Sequence, residues 1–169
     1  VTWQVSTTTG VITEWVTGGR ALLDAPIAEC FARAPLDNDI CSSEVDNPSP
    51  EAWLAKWLAA GLFDLEHRCT CVEVKGATVV SQHEYLNVGV AIRSVWTNTF
   101  DTAGGVDITI EVSVDPEMPP LPRVGMLLLL SDKPEAVSWH GRGPHENYPD
   151  RKLSADLGDW SCDRQAMQT

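Results

Sequence analysis

Residues 106–114 read Val-Asp-Ile-Thr-Ile-Glu-Val-Ser-Val, and this stretch decides the fold class. Branched apolar residues occupy every even position, and polar residues occupy the odd positions between them. Because successive side chains of a strand point to opposite faces, the alternation predicts a strand with one buried face and one solvated face. Strands of this kind are typical of antiparallel sheets.

The β pattern continues on both sides of this strand. Residues 2–24 predict two or three short strands, residues 65–100 are β-rich throughout, and residues 136–139 predict a further strand. A proline-rich linker, residues 116–122, precedes the apolar run Val124–Leu130, which we predict to be a central strand of a sheet. Many short strands with a single helix predict an all-β protein, an antiparallel β-sandwich.

The single predicted helix lies near residues 50–60. Ser49 is placed to cap its N-terminus, Pro50 suits the first helical position, and Gly61 suits the position just past the end. An apolar stripe at helical spacing is formed by Trp53, Leu54, Trp57 and Leu58. We interpret the stripe as core, since tryptophans on such a stripe more often pack than bind sugars.

Composition restricts the classes of partner. The chain has 169 residues, 43% of them hydrophobic, which suits one domain or a piece of one. Its 24 acidic and 12 basic residues give a net charge of −12, which argues against nucleic acid and against an anionic membrane surface. No apolar run approaches the ~20 residues of a membrane helix, and the N-terminus does not resemble a signal peptide.

The five cysteines are odd in number and irregularly spaced. This predicts reduced thiols, and with them a cytoplasmic location, rather than a disulfide framework. Cys69 and Cys71 form a C-x-C pair, but no second pair of matching spacing follows, so we expect no zinc site and no metal bound by this chain. On a regular strand the two thiols would share a face.

Two polar stretches are candidates for function. Residues 33–41 read Arg-Ala-Pro-Leu-Asp-Asn-Asp-Ile-Cys and predict an irregular, self-capped turn, although the same side chains could bind a cation or sugar hydroxyls. Residues 139–151 read Trp-His-Gly-Arg-Gly-Pro-His-Glu-Asn-Tyr-Pro-Asp-Arg, a strand end opening into a tight polar loop. We expect this second stretch to brace the fold rather than to catalyse. Beyond it the strand pattern fades, which indicates either a portion of a larger domain or partner strands supplied from elsewhere.

The same two stretches carry a family resemblance. Arg33-Ala-Pro-Leu-Asp-Asn-Asp-Ile resembles the R-x-P-x-D-N-D motif of the large bacterial β-galactosidases, and Gly141-x-Gly-Pro-x-Glu-Asn-Tyr-Pro-Asp-Arg151 resembles a second signature of that family. Both belong to its C-terminal "small chain" domain, a galactose-mutarotase-like supersandwich. The resemblance covers essentially all 169 residues, so we interpret residues 1–169 as the N-terminal portion of that domain.

The resemblance implies a parent enzyme that hydrolyses terminal β-galactosides such as lactose. In the family two glutamates act by a retaining mechanism, but they lie in a separate barrel domain, so we expect no catalytic residue in this chain. The resemblance further implies Mg²⁺ and Na⁺ in the parent enzyme, a homo-oligomer, and contact between this domain and the others. The loop beside the galactose pocket would comprise Asp37, Asn38, Asp39, Ile40 and Cys41. Structural signature residues would be Arg33, Gly143, Pro144, Glu146, Tyr148, Asp150 and Arg151.

Cys41 departs from the family pattern, which usually has glycine there. A Cβ at this position restricts positive φ and is expected to alter loop opening. Two alternative functions stay open: a free-standing aldose mutarotase using a His acid and a Glu base, or a carbohydrate-binding module. Candidate residues for the mutarotase are His83, His140, His145 and Glu146. The binding module would need exposed tryptophans.

Overall fold

A computed structural model describes residues 1–87, 90–131, 134–145, 147, 152–164 and 166. The chain divides into two units, Val1–Ser131 and Asp132–Thr169. Among the described residues, no helix is both long enough and apolar enough to cross a membrane. The described strands form antiparallel sheets, and the fold is all-β, as the alternation of residues 106–114 predicts.

The first unit contains nine of the strands. They are β1 (Thr2–Val5), β2 (Ile12–Thr17), β3 (Arg20–Ala21), β4 (Ala28–Cys30), β5 (Glu66–Lys75), β6 (Thr78–Asn87), β7 (Val90–Phe100), β8 (Val106–Val114) and β9 (Gly125–Leu127). Their sheets have the orders β1-β2-β3, β4-β9 and β5-β6-β7-β8. Two helices, α1 (Asp37–Ile40) and α2 (Trp53–Ala59), and a 3₁₀ turn (Leu62–Asp64) lie between β4 and β5.

The four-stranded sheet supplies one wall of the core. In β8 the even residues from Val106 to Val112 are partly buried and the odd residues are exposed, which confirms the predicted alternation. Ile108 and Ile110 pack against a cluster formed by Ile12, Ile27 and Trp96. This cluster joins the β1-β2-β3 sheet to the four-stranded sheet, which is the layered packing of a β-sandwich.

A second cluster lies beneath the helices. It contains Phe31, Leu54, Trp57, Leu62, Ile92 and Met118. Since Ile92 belongs to β7 and Leu54 and Trp57 to α2, this cluster anchors the helix to the sheet. Half of the predicted apolar stripe is therefore core, with Leu54 and Trp57 each 3% exposed, whereas Trp53 is 39% and Leu58 51% exposed.

The predicted start of this helix is wrong. Ala52, not Ser49, precedes the first helical residue. The carbonyl of Ser49 instead accepts the N–H of Ala52 at 2.9 Å, and its hydroxyl donates to Glu51, so a separate turn precedes the helix. Gly61 is correctly predicted: it follows the last helical turn with φ of 66°, which suits a residue without a Cβ.

The prediction of a central strand at Val124–Leu130 is also wrong. Only Gly125–Leu127 forms a strand, and its sheet contains only β4 as a partner among the described strands. Met126 to Leu130 are between 38% and 50% exposed. A continuous apolar run has no periodicity from which its burial can be read, and here the run lies along residues 23–30 at the surface.

A bulge separates Cys69 from Cys71. Cys69 lies opposite His83 and Cys71 opposite Gln82, so the register shifts between the two cysteines. Because His83 and Gln82 are neighbours with side chains on opposite faces, the two thiols do not share a face, contrary to the expectation for a regular strand.

The second unit is built on a hairpin. β10 (Ala136–Gly143) and β11 (Asp156–Asp163) pair along their whole length, with Trp139 opposite Trp160. The predicted strand at 136–139 is confirmed and continues to Gly143. β11 was not predicted, because its inward positions include Gly158 and Cys162 and therefore give only a weak apolar period.

Candidate functional site

Residues 33–41 form one turn of helix rather than the predicted irregular turn. Leu36 is extended, α1 covers Asp37–Ile40, and Cys41 closes the turn in the left-handed region with φ of 50° and ψ of 47°. The expectation of self-capping describes the chemistry correctly, since the Asp39 carboxylate accepts the N–H of Leu36 at 2.7 Å. Acidic residues in the first turn of a helix are favoured by the dipole of the peptide groups.

Arg33 and Asp39 form the anchor of this turn. Nη1 of Arg33 donates to Oδ2 of Asp39 at 2.5 Å, and Nη2 donates to Oδ1 at 3.2 Å. Asp39 is 6% exposed. Burial acts to raise the pKa of this carboxyl, but the hydrogen bonds from Arg33 and Leu36 and the charge of Arg33 outweigh it, so the net pKa lies below its ordinary value. Asp39 is therefore held as a carboxylate.

The anchor rests on α2. The guanidinium carbon of Arg33 lies 5.8 Å from the centroid of the Trp57 ring, a cation–π distance. Nε1 of Trp57 donates to the carbonyl of Pro120 at 2.9 Å. Ile40 packs against the core cluster that contains Trp57. The turn is thereby connected through one tryptophan to the segment that follows β8.

The opposite side of the turn faces solvent. Asp37, Asn38 and Cys41 are exposed, whereas Asp39 is buried and Ile40 is half-buried. An aspartate and an asparagine side by side offer a carboxylate, a carbonyl oxygen and an amide donor, which suits the hydroxyl groups of a sugar. Of the five predicted loop residues, Asp37 and Asn38 are the polar ones available to a ligand.

Ser43 fastens the end of the turn. Its hydroxyl donates to the carbonyl of Ile40 and accepts the N–H of Ser49 at 3.0 Å. The Ser43 amide also donates to the Ile40 carbonyl, at 3.0 Å. Residue 42 has a φ of 62°, so two consecutive residues with a Cβ, Cys41 and Ser42, adopt left-handed backbone. No local motif in the sequence indicates Ser43 or Trp57 as partners of the loop.

The second signature stretch lies in the other unit. Gly143 ends β10 against Trp160: a Cβ at residue 143 would lie 2.7 Å from Cδ1 of that ring, so only glycine fits. Nη1 of Arg142 donates to the carbonyls of Lys152, at 3.3 Å, and Ala155, at 2.8 Å. Pro144 follows Gly143 directly. The predicted signature residues Glu146, Tyr148, Asp150 and Arg151 lie outside the described residues.

The residues named for the alternative functions are differently placed. His83 is 1% exposed, whereas His140 and His145 are exposed. Trp53, at 39%, is the most exposed of the seven tryptophans, and the ammonium of Lys56 lies 4.4 Å from its ring centroid. Within the described part of the chain, no three His, Cys, Asp or Glu side chains are grouped as metal ligands are.

These features define a class: an all-β module that holds a polar, partly exposed turn on a partly buried ion pair. The family model described as "Beta galactosidase small chain" matches residues 1–169. The chain belongs to this family.

Similar proteins named beta-galactosidase occur in several bacteria. The chain is 45% identical over 174 residues to the beta-galactosidase of Aeromonas hydrophila subsp. hydrophila. The alignment covers 99% of this chain and 17% of the relative. The chain is 39% identical over 173 residues to the Yersinia enterocolitica protein, an alignment that covers 99% of the chain and 16% of the relative. It is 37% identical over 172 residues to the Vibrio cholerae protein, an alignment that covers 99% of the chain and 17% of the relative. The chain thus spans 16–17% of the length of these relatives.

Proposed function

We propose that this chain is part of one domain of a β-galactosidase that releases terminal β-galactose from lactose-type substrates. The observation that carries the proposal is the turn of residues 37–41, whose Asp37 and Asn38 side chains are exposed while Asp39 is held by Arg33. A polar pair on a rigid support is suited to orienting sugar hydroxyls. The membership of the chain in the small chain family supports the same assignment.

The proposed role is to form one side of the galactose site and to orient the sugar, not to cleave the glycosidic bond. A retaining glycosidase needs two carboxyl groups about 5–5.5 Å apart, one acting as acid and base and the other as nucleophile. We propose that both belong to parts of the parent enzyme outside residues 1–169. The contribution of Asp37 and Asn38 is to accept and donate hydrogen bonds to substrate hydroxyls, which strengthens binding near the transition state.

Further properties of the parent enzyme belong to this proposal. We expect the parent enzyme to depend on Mg²⁺ and Na⁺. We also expect a homo-oligomer in which this domain contacts the others. The cytoplasmic location is supported by five cysteines that are all free.

Substitution of the exposed pair tests the proposal. In the full-length protein, Asp37→Ala and Asn38→Ala should each lower kcat/KM for lactose by about tenfold, the factor that corresponds to one lost hydrogen bond with a charged or well-oriented partner. Asp107→Asn is the matched control, because Asp107 is an exposed polar residue of β8. Unchanged kcat/KM in both alanine variants, with correct folding, would exclude the proposed role of the turn.

A further inference from the structure

A chain of hydrogen bonds crosses the buried face of the four-stranded sheet. Nε2 of His67, on β5, lies 2.9 Å from Nδ1 of His83, on β6, and Nε2 of His83 lies 2.8 Å from Oγ of Ser81. Ser81 Oγ donates to the carbonyl of Gly10 at 3.0 Å. His83 is 1% exposed and Ser81 is fully buried. We name these four residues, His67, His83, Ser81 and Gly10, the histidine relay.

The proton positions in the histidine relay follow from its end. The Gly10 carbonyl can only accept, so it takes the single hydroxyl proton of Ser81. Ser81 Oγ must then accept from Nε2–H of His83, and a neutral His83 has an unprotonated Nδ1. Nδ1 of His83 therefore accepts from Nε2–H of His67. With His83 neutral, the Gly10 carbonyl at the end of the relay therefore determines the direction of every bond.

This order limits how many protons the pair can hold. One extra proton can enter on Nδ1 of His67, which is the exposed member of the pair, and the relay stays intact. A second proton has to enter on Nδ1 of His83. It would place two N–H groups against each other across 2.9 Å and two positive charges side by side. The doubly protonated pair cannot keep the relay.

The groups around the pair do not remove this limit. Glu29 of β4 is the charged group whose field favours protonation of both histidines, and it accepts the hydroxyl of Ser94 on β7 at 2.6 Å. Tyr85 stacks on His67, with the ring centroids 4.7 Å apart. Burial raises the pKa of Tyr85, so this phenol stays neutral.

The groups closest to His83 are also neutral. Burial raises the pKa of Cys69, which lies opposite His83. Trp96 of β7 contacts the His83 ring edge-on. Burial lowers the pKa of both histidines despite Glu29, and His67 lowers that of His83 further.

We propose that the histidine relay is an acid-sensitive latch, which holds edge strand β5 and the turn at Gly10 on the sheet and opens when both imidazoles are protonated. The turn can approach only because residue 10 is glycine: a Cβ there would lie 2.4 Å from Cβ of Ser81. When the latch is open, both imidazoles accept a proton at the ordinary pKa of about 6.5. When the latch is closed, the pair accepts its second proton only at lower pH. The latch is therefore fully stable above this pH and weakens as pH falls below it.

Hydrogen–deuterium exchange of the full-length protein tests the latch. We expect exchange in peptides covering β5 and residues 7–10, corrected for the intrinsic pH dependence, to accelerate on the order of fivefold between pH 7.5 and 4.5, the factor of one net hydrogen bond. Peptides of β8, in the same sheet but outside the relay, serve as the internal reference. No acceleration relative to β8 would overturn the proposal.

The decisive variant is His67→Gln. A glutamine amide donates to neutral His83 and, after rotating by half a turn, accepts from protonated His83, so this variant should stay protected at both pH values. His140→Gln, the same substitution at an exposed histidine of the other unit, should respond to acid as the unmodified protein does. If His67→Gln opens in acid as much as the unmodified protein, or is less protected already at pH 7.5, the assigned proton order is wrong.

Discussion

Asp39→Asn isolates the contribution of the partly buried Arg33–Asp39 ion pair to the turn beside the proposed galactose site. The carboxylate accepts three hydrogen bonds, from Nη1 and Nη2 of Arg33 and from the N–H of Leu36, at 2.5, 3.2 and 2.7 Å. Asparagine keeps one oxygen, which can retain Leu36 and Nη1. Its amide group then faces Nη2, so a donor opposes a donor and the charge is lost.

The cost follows from those bonds. Hydrogen bonds to charged groups contribute about 1.5–3 kcal/mol and neutral ones about 0.5–1.5 kcal/mol, so losing one bond and the charge from the others should cost about 2 kcal/mol. Complete rupture of a buried pair costs about 3–5 kcal/mol. The smaller figure applies because the Arg33 side chain is 24% exposed, so its guanidinium can form hydrogen bonds to water when the pair is weakened. A cost of about 2 kcal/mol raises the equilibrium constant for opening of the turn about 30-fold.

Hydrogen exchange in peptides covering residues 33–43 of the full-length protein measures this opening. Asp37→Asn is the matched control, since it makes the same change on the same helical turn at an exposed side chain. Because the pKa of Asp39 is lowered in the folded state, its contribution is complete above about pH 4 and is lost as pH falls through the folded value. Asp39→Asn should remove this acid dependence. Equal exchange in the two variants would refute the anchoring role of Asp39.

Two glycine positions give further predictions. Cys41→Gly should change hydrogen exchange in residues 37–43 more than it changes the free energy of unfolding. We expect the latter to change by no more than about 1 kcal/mol, because relief of the left-handed φ of 50° is offset by a more flexible unfolded chain. Identical exchange before and after the substitution would contradict this. Gly143→Ala should lower stability by about 1–3 kcal/mol in thermal unfolding, because its Cβ would overlap Trp160. Gly141→Ala is the control, since its Cβ would meet Trp139 at an ordinary 3.5 Å; an equal loss in both would point to backbone entropy instead.

The strands that alternate in sequence were predictable, and those that do not alternate were not. β8 has five branched residues at every second position, and its burial repeats that pattern from Val106 to Val112. β11 has glycine and cysteine among its inward positions, so its pairing with β10 is determined by tertiary contacts such as Trp139 opposite Trp160. The apolar run at residues 126–130 was predicted to be buried but is exposed, because apolar character without a periodicity does not determine which side chains are covered.

The candidate site was located by motif, but its geometry was not. Residues 33–41 were identified as a polar turn, and the carboxylate does cap it. Which of the two aspartates is buried depends on Arg33, Trp57 and the core beneath α2. The longest of these contacts, from Trp57 to Pro120, spans 63 positions of sequence. Local propensity holds no information on contacts of that range.

The spacing within the Asp-Asn-Asp motif has a geometric reason. Residues two positions apart on a helix are separated by about 200° around its axis, since there are 3.6 residues per turn. On α1 this directs Asp39 inward to Arg33 and Asp37 outward to solvent. Asn38 lies between them and shares the exposed side. One turn of helix can therefore keep one carboxylate for its own support and present a second one to solvent beside an amide.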